Sequence, residues 1–140
     1  MNVVPFKREH LREMLVQESQ LHHLQYLTDQ ILTEMERSFS FTAMRDNEVY
    51  MCGGVFALSE WRGHSWSYIS EKAGKYFIQL ARITNRCLEM SGFKRIEADV
   101  DEDFVQGHRF VKLLGFKLEA LSRVGFHSDG RSCSLYARIT

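Results

Sequence analysis

The sequence predicts a single α/β domain, with a twisted, mixed β-sheet at its centre and helices on both faces of the sheet. Short runs of residues alternate apolar and polar side chains, as half-buried strands do, and longer segments repeat apolar residues at helical spacing. Two predicted helices end in Gly-Phe-Lys and lead directly into a strand. These observations predict the order β-α-α-β-β-β-α-β-α-β-β over residues 1–140.

The chain opens with a predicted edge strand and two helices. Residues 2–6 are expected to lie at a sheet edge, because Pro5 has no amide N–H to donate within a central strand. Residues 7–16 repeat apolar side chains at helical spacing. A second helix is predicted from a cap at Ser19 to about Arg37, with its leucines on one face.

A β-hairpin is predicted next. Residues 38–45 alternate phenylalanine or alanine with serine or threonine, and residues 48–60 form the returning strand. Residues 46–48, Asp-Asn-Glu, supply the turn. Within the returning strand, Gly53 and Gly54 indicate a bulge or a close approach by another part of the backbone.

The middle of the chain predicts a strand, a helix and a second strand. The first strand covers residues 64–70, and the clearest helix of the chain covers residues 73–90 and ends at Gly92. Residues 94–101 alternate apolar with charged side chains, which predicts a strand with one face in water. A strand–helix–strand succession favours a parallel pair at the centre of the sheet.

The C-terminal part predicts one more helix and a hairpin. Residues 104–114 form the helix, which ends at Gly115. Residues 116–126 and 132–139 are the two strands of a hairpin, with Asp129-Gly130 in its turn. The last strand is expected to be an exposed edge, through which two copies of the chain would pair as a homodimer.

Composition excludes several classes of protein. Lysine plus arginine and aspartate plus glutamate number 18 each, so the net charge is zero, whereas general nucleic-acid and membrane-surface binding need a basic excess. No apolar run approaches the ~20 residues that span a bilayer, and the N-terminus becomes polar too early for a signal peptide. The three separated cysteines favour a reduced, cytoplasmic compartment with the thiols in the core. They are Cys52, Cys87 and Cys133.

The C-terminal part of the chain carries a family resemblance. Residues 107–116 read Gly-His-Arg-Phe-Val-Lys-Leu-Leu-Gly-Phe. They occupy the frame of the last helix of the GNAT superfamily of acyl-CoA N-acyltransferases, which commonly reads Ala-Arg-Arg-Phe-Tyr-Glu-Lys-Leu-Gly-Phe. Residues 95–120 with 129–139 are similar to small GNAT-like proteins of tailed bacteriophages and prophages. In that group a Gly-His-Arg-aromatic helix and a final Leu-Tyr-Ala-Arg strand recur. The resemblance covers roughly residues 39–139.

The resemblance implies acetyl-CoA as the acyl donor. It places the ligand in a slot between strand segments 65–70 and 95–101, with amides of residues 66–70 polarising the thioester. The pyrophosphate is expected at the start of the following helix, where free N–H groups and the helix dipole favour an anion. The expected cofactor-binding residues are Ile69, Ser70, Lys72, Ala73, Gly74 and Lys75.

Three positions depart from the family pattern. In the phosphate-loop pattern Arg/Gln-x-x-Gly-x-Gly/Ala, Gly74 matches the first glycine. Glu71 stands where Arg or Gln is usual and brings an unfavourable carboxylate towards the pyrophosphate. Tyr76 stands where Gly or Ala is usual and is large enough to crowd the loop. Val111 stands where a tyrosine often protonates the leaving CoA thiolate.

Acid and base candidates follow from position in the chain. Tyr68 or Tyr136 is the available substitute for the missing tyrosine. Glu60, at the end of the predicted returning strand, is a candidate base, as are Asp99 and Asp101 on the polar face of residues 94–101; the alternative for each carboxylate is an ordinary solvated side chain. His108 is a candidate base or a support for its helix. The predicted catalytic residues are Glu60, Tyr68 and His108.

The sequence contains no motif for a metal site, a serine nucleophile or a nucleotide-binding loop. The six histidines show no metal-ligand spacing, and there is no Gly-x-Ser-x-Gly elbow or Walker-type loop. Two functions therefore remain. One is acetyl transfer from acetyl-CoA to a small-molecule or protein amine in the host cytoplasm. The other is a catalytically degenerate GNAT-fold module, associated with a virion or binding host or phage proteins.

Overall fold

The computed structural model describes residues 1–140 as an α/β protein with five helices and a seven-stranded mixed sheet, which confirms the predicted class. The helices are α1 (Arg8–Glu13), α2 (Glu18–Leu24), α3 (Asp29–Arg37), α4 (Phe77–Ser91) and α5 (Val105–Leu113). The strands are β1 (Asn2–Val4), β2 (Phe39–Arg45), β3 (Glu48–Ala57), β4 (Arg62–Ile69), β5 (Arg95–Asp101), β6 (Lys117–Arg123) and β7 (Cys133–Ile139). They follow the order β1-β2-β3-β4-β5-β7-β6 in the sheet.

The chain forms two compact units. The first comprises Met1–Phe56 and Trp66–Ser91, and the second comprises Ala57–Ser65 and Gly92–Thr140. Strand β4 therefore begins in the second unit and ends in the first. No helix is long and apolar enough to cross a membrane.

The strands of the first unit fit the prediction closely. β1 pairs with β2 and lies at the end of the strand order, as predicted. The turn between β2 and β3 places Asp46 at φ 50° and Asn47 at φ 63°, a left-handed conformation that these residue types tolerate. A Cβ atom on Gly54 would lie 2.9 Å from Nε1 of Trp66 and 2.9 Å from the carbonyl oxygen of Phe39, which confirms the predicted close approach.

The predicted second helix is divided into α2 and α3. Thr28 begins α3, and its Oγ1 accepts a hydrogen bond from the amide of Ile31 at 3.2 Å. The predicted cap at Ser19 is wrong, because α2 begins one residue earlier and Gln17 precedes it. The apolar residues keep their helical spacing across the break, so their pattern does not reveal where the helix is interrupted. The capping threonine, Thr28, starts the new helix at that point.

The second unit contains the predicted parallel pair and hairpin. Arg62–His64 of β4 pair in parallel with Arg95–Glu97 of β5. β7 lies between β5 and β6, so the predicted exposed edge at residues 132–139 is wrong and β6 is the terminal strand. The expectation assumed that the last strand in sequence is also the last in space. Pairing of both β5 and β6 with β7 satisfies its backbone on each side.

Helix α5 packs on β5 through the motif that carries the family resemblance. A Cβ atom on Gly107 would lie 2.5 Å from Cδ2 of Phe104 and 2.9 Å from Cγ1 of Val100. The absence of a side chain at Gly107 thus allows the helix to approach the strand. Phe110 and Leu114 are buried in the same unit. Gly115 ends the helix at φ 84°, as its predicted capping role requires.

Candidate functional site

The loop between β4 and α4 contains most of the predicted cofactor-binding residues. Ala73–Tyr76 form one turn of 3-10 helix, and the 15-residue helix α4 begins at Phe77. A Cβ atom on Gly74 would meet no heavy atom within 4 Å. The backbone at Gly74 is therefore open to a ligand, although its conformation does not require glycine.

The amides of this loop divide into two groups. Lys72 donates its amide N–H to Oγ of Ser70 at 3.1 Å, and Ala73 donates to the Ser70 carbonyl oxygen at 3.1 Å. The amides of Gly74 and Lys75 donate to no acceptor outside their own helical turn. A phosphate would compete with Ser70 for the amides of Lys72 and Ala73, and with the 3-10 turn itself for the amide of Lys75.

Of the two lysines in the loop, one is already ion-paired. Nζ of Lys72 lies 2.8 Å from Oε1 of Glu48. The hydrogen bond from Lys72 holds the pKa of the Glu48 carboxyl below its ordinary value, despite the opposing effect of desolvation. Lys75 forms no ion pair and lies 5.3 Å from the ring centroid of Tyr76. Lys75 is therefore the cation that remains available to an anion.

The two residues that depart from the family's loop pattern are both anchored. The ring of Tyr76 packs edge-on against Tyr50 of β3, with centroids 5.0 Å apart. Glu71 donates its amide to the carbonyl oxygen of Leu15 at 2.8 Å. Glu71 also lines a groove of about 590 Å³, together with leucines of α1, α2 and α3 and the arginines Arg8 and Arg12.

The N-terminal part of α2 occupies the edge of β4 just before the loop. Gln20 donates from Nε2 to the carbonyl oxygen of Ser67 at 2.7 Å, and its Oε1 accepts the amide of Ile69 at 2.9 Å. The amide of Gln17 donates to the Ile69 carbonyl oxygen at 3.0 Å. The backbone of Ile69, a predicted cofactor contact, is thus already paired on this edge. Gln20 was not predicted as a site residue, because its only signal in the sequence is a glutamine on an otherwise leucine-rich helix face.

The predicted catalytic residues are distributed over both units. Tyr68 lies on β4 in the first unit, 8% exposed, and its hydroxyl makes no hydrogen bond within the chain. Burial raises the pKa of Tyr68 to about 12. It belongs to an apolar core that also includes Phe6, Leu11, Met14, Val16, Met35, Val49 and Cys52. Glu60 is exposed in the turn between β3 and β4, within the second unit.

His108 lies on α5 with a partner at each ring nitrogen. Its Nδ1 is 2.7 Å from the hydroxyl of Tyr136, and its Nε2 is 3.0 Å from the carbonyl oxygen of Glu102. To act as a base, His108 would have to give up one of these partners. Val111, one turn further along α5, brings no proton donor to this helix face.

The polar face of β5 is buried and ion-paired, so the prediction that it lies in water is wrong. Oε2 of Glu97 lies 2.9 Å from Nε of Arg62 and 2.8 Å from Nε of Arg95. Burial alone would raise the pKa of the Glu97 carboxyl, but hydrogen bonds from both arginines outweigh burial and the pKa falls below its ordinary value. The cationic partners cover the carboxylate, which explains how a charged residue lies 8% exposed on a sheet face.

Two further carboxylates on this face pair with histidines. Oδ2 of Asp99 is 3.1 Å from Nε2 of His64, and Asp99 also contacts the guanidinium of Arg123. Oδ1 of Asp101 is 2.8 Å from Nε2 of His127. Asp99 and Asp101 are thus not ordinary solvated carboxylates. The alternating pattern of residues 94–101 revealed one shared face but not the partners supplied by β4, β6 and the loop after β6.

Comparison with known proteins defines the class of fold. No protein-family model matches the chain, and no curated protein matches it in sequence. The fold is that of the GNAT-family acetyltransferases. Ard1 from Thermoplasma volcanium superimposes with a TM-score of 0.79 at 14% identity, over 99% of this chain and 97% of that one. A GNAT family acetyltransferase from Elizabethkingia anophelis, with acetyl-CoA bound, gives 0.72 at 14% identity, over 99% and 97%. A variant of spermidine N-acetyltransferase from Vibrio cholerae gives 0.65 at 10% identity, over 99% and 95%.

Proposed function

We propose that the protein is an N-acetyltransferase that uses acetyl-CoA as acyl donor and an amine as acceptor. The observation that carries the proposal is the loop over residues 70–75. It leads into a 15-residue helix and combines an open glycine with an uncommitted lysine. Free amides and the dipole at the start of a helix favour phosphate groups. Acetyl-CoA is bound in the Elizabethkingia anophelis structure, which has the same fold.

The loop residues would hold the two ends of the pyrophosphate. Gly74 and Lys75 supply amides at the start of the helical turn, and Lys75 supplies positive charge. Ser70 releases the amides of Lys72 and Ala73 when a phosphate oxygen replaces it as acceptor. Ile69, at the end of β4, is assigned to the pantetheine arm. Glu71 opposes binding, because its carboxylate repels the phosphates.

Acetyl transfer requires a base for the amine and tolerates a weak acid for the thiolate. Tyr68 carries a proton at neutral pH, but burial raises its pKa to about 12, which makes it a weaker acid than an ordinary tyrosine. A free thiol has a pKa of ~8.5, so CoA also leaves as a thiolate without help. Glu60 is an exposed candidate base, and His108 is a base only after leaving Tyr136 or Glu102.

The acceptor is proposed to be a small-molecule amine or an amine of a protein. Spermidine N-acetyltransferase shares the fold, so a polyamine belongs in any panel of acceptors. The motif shared with phage GNAT-like proteins favours a phage-encoded enzyme that works in the host cytoplasm. The three cysteines are free thiols, which agrees with a reducing compartment.

A binding module is the second candidate, and Gln20 favours it. The side chain of Gln20 saturates backbone groups of Ser67 and Ile69 at the strand edge that a ligand along β4 would use. In such a module the fold would be retained for contacts with host or phage proteins, including those of a virion. This candidate predicts that acetyl-CoA does not bind.

Thermal unfolding with and without acetyl-CoA distinguishes the acetyltransferase from the binding module. A ligand at 100 times its Kd stabilises a protein by about 2.7 kcal/mol, which raises the Tm by several degrees for a domain of this size. The enzyme proposal expects this increase, together with release of CoA when an amine is added. An unchanged Tm at millimolar acetyl-CoA would refute the enzyme and favour the binding module.

A matched pair of variants at one position tests the phosphate loop. Gly74→Ala should bind acetyl-CoA nearly as well as the wild type, because a Cβ atom there meets no neighbour within 4 Å. Gly74→Glu should abolish binding, because it adds a carboxylate at the same point. Equal binding by both variants would show that the phosphates lie elsewhere.

A further inference from the structure

The groove bounded by α1, α2 and α3 lies entirely within the first unit and has a volume of about 590 Å³. Its lining includes Leu11, Met14 and Val16, which are buried, and Leu15 and Leu21, which are each 50% exposed. The half-exposed leucines leave the apolar surface open to a ligand. The volume falls in the range of about 300–1,000 Å³ that is typical of small-molecule sites, which favours a small molecule as the occupant.

The lining of the groove suits an aliphatic chain. Six of the eleven residues that line it are leucines, and none is aromatic. Leucine offers no partner to a polar group, and a polar group that is buried without a partner is costly, so the part of a ligand that lies among the leucines is apolar. Without an aromatic ring on which a flat ligand could stack, the lining favours a flexible hydrocarbon chain.

Two arginines line the groove, and only one of them is free to bind a ligand. Nε and Nη2 of Arg8 lie 3.2 Å and 2.7 Å from Oε1 of Glu36, and its Nη1 donates to Oδ1 of Asp29 at 3.1 Å. Arg12 follows one turn later on α1, on the same side of the helix. It is exposed and makes no hydrogen bond or ion pair within the chain. Arg12 is therefore the cation that a ligand can reach.

Glu71 is the only carboxylate residue that lines the groove. Its amide donates to the carbonyl oxygen of Leu15 at 2.8 Å, so it lies beside the segment that follows α1. Charge favours an anionic group at Arg12 and disfavours one at Glu71. A single free guanidinium binds a carboxylate through two parallel hydrogen bonds, whereas the second charge of a phosphate dianion would remain unpaired. The groove thus fits a ligand with an apolar chain and one carboxylate.

We propose that the groove binds a fatty acid, with its chain among the leucines and its carboxylate on Arg12. The chain contributes affinity because it leaves water, and the arginine selects the head group. The inference goes beyond acetyl transfer and does not depend on it, because all of the contacts lie within the first unit and none involves acetyl-CoA.

Titration calorimetry with sodium decanoate, below the concentration at which it forms micelles, tests the site. The wild type should bind one molecule per chain. Octanoate, which is shorter by two methylenes, should bind about 15-fold more weakly, because each buried methylene contributes about 4-fold. The uncharged 1-decanol has the same chain length and should bind about 10-fold more weakly than decanoate, because it cannot form the charged pair with Arg12.

Substitutions separate the contribution of the head group from that of the chain. Arg12→Gln should raise the Kd for decanoate about 10-fold, which corresponds to ~1.4 kcal/mol, and should leave the Kd for 1-decanol unchanged. Arg82→Gln is the matched control, because Arg82 is exposed on α4 and does not line the groove, and it should change neither Kd. Leu21→Glu, at a half-exposed position of the groove, should abolish binding of both ligands.

Four results would overturn the proposal. One is the absence of decanoate binding at millimolar concentration, and another is a Kd for decanoate that Arg12→Gln leaves unchanged. Tighter binding of decyl phosphate than of decanoate would assign the groove to a phosphorylated amphiphile. Self-association of the wild type that Leu21→Glu removes would assign the groove to a second copy of the chain.

Methyl NMR of the wild type with decanoate locates the ligand. The methyl signals of Leu15 and Leu21 should shift on binding. Shifts confined to Leu118 and Leu121, which are exposed leucines of the second unit, would show that decanoate associates with another apolar surface and would refute the site.

Discussion

The hydroxyl of Tyr136 on β7 lies 2.7 Å from Nδ1 of His108 on α5. The carbonyl oxygen of Glu102 only accepts hydrogen bonds, so neutral His108 carries its proton on Nε2, and Nδ1 accepts the Tyr136 O–H. Tyr136 is 2% exposed, and burial raises its pKa, which keeps the hydroxyl protonated. The Gly-His-Arg helix and the Leu-Tyr-Ala-Arg strand therefore meet in one partly buried hydrogen bond.

Removal of this hydroxyl should destabilise the fold. Tyr136→Phe leaves the partly buried Nδ1 of His108 without its donor, and the loss of such a hydrogen bond costs about 1 kcal/mol. Urea denaturation should show that loss in the free energy of unfolding. Tyr26→Phe is the control, because Tyr26 is 41% exposed. An equal effect of both substitutions would contradict the importance of the His108–Tyr136 bond.

The two motifs are thus joined by a contact that the sequence alone did not reveal. Local chemistry was readable: Gly92 and Gly115 end helices at positive φ because only glycine adopts that conformation without strain. The hydrogen bond joins residues 28 positions apart, and no local pattern encodes such a pairing.

In the candidate site, too, local sequence signals were predictable and long-range contacts were not. Residues 70–75 were identified together because they are contiguous and precede a helix. Gln20 and Arg123 were not identified, because each reaches its partner across the fold. Residues 94–101 alternate as a strand with a wet face does, but alternation cannot distinguish water from arginine as the partner of Glu97.

Gly107→Ala should destabilise the protein, although the same substitution in an exposed helix stabilises by up to ~1 kcal/mol. The new methyl group would lie 2.5 Å from Cδ2 of Phe104, and overpacking of this kind costs about 1–3 kcal/mol. The Tm and the urea midpoint should both fall. Gly74→Ala is the matched control, since its methyl group meets nothing within 4 Å. A stable Gly107→Ala variant would show that α5 moves away from β5 without cost.

Glu97 should make the stability depend on pH. Its folded-state pKa lies below the ordinary value, because hydrogen bonds from Arg62 and Arg95 outweigh burial. The stabilisation is therefore complete above the unfolded pKa of ~4.3 and disappears as the pH falls through the folded pKa. Glu97→Gln should lower the free energy of unfolding by about 2 kcal/mol at pH ~7, and the difference from the wild type should shrink in acid.

Urea titrations at several pH values measure this effect. Glu13→Gln serves as the control, because Glu13 is exposed on α1 and should change the stability little at any pH. A Glu97→Gln deficit that persists unchanged well below the unfolded carboxylate pKa would mean that packing, rather than the ion pair, causes it.

Gln20→Ala should strengthen acetyl-CoA binding. Oε1 of Gln20 accepts the amide of Ile69, and Nε2 donates to the carbonyl oxygen of Ser67, so a ligand that lies along β4 must displace this side chain. Each neutral hydrogen bond is worth about 1 kcal/mol net, which corresponds to a roughly 5-fold lower Kd when the competitor is absent. The Gln20→Ala protein without ligand should unfold at a lower temperature than the wild type, and the increase in Tm caused by acetyl-CoA should be larger.

Gln25→Ala, at an exposed position just after α2, should leave the Kd unchanged. Weaker binding by Gln20→Ala would instead make Gln20 part of the cofactor site, since its amide would then contact the ligand rather than exclude it.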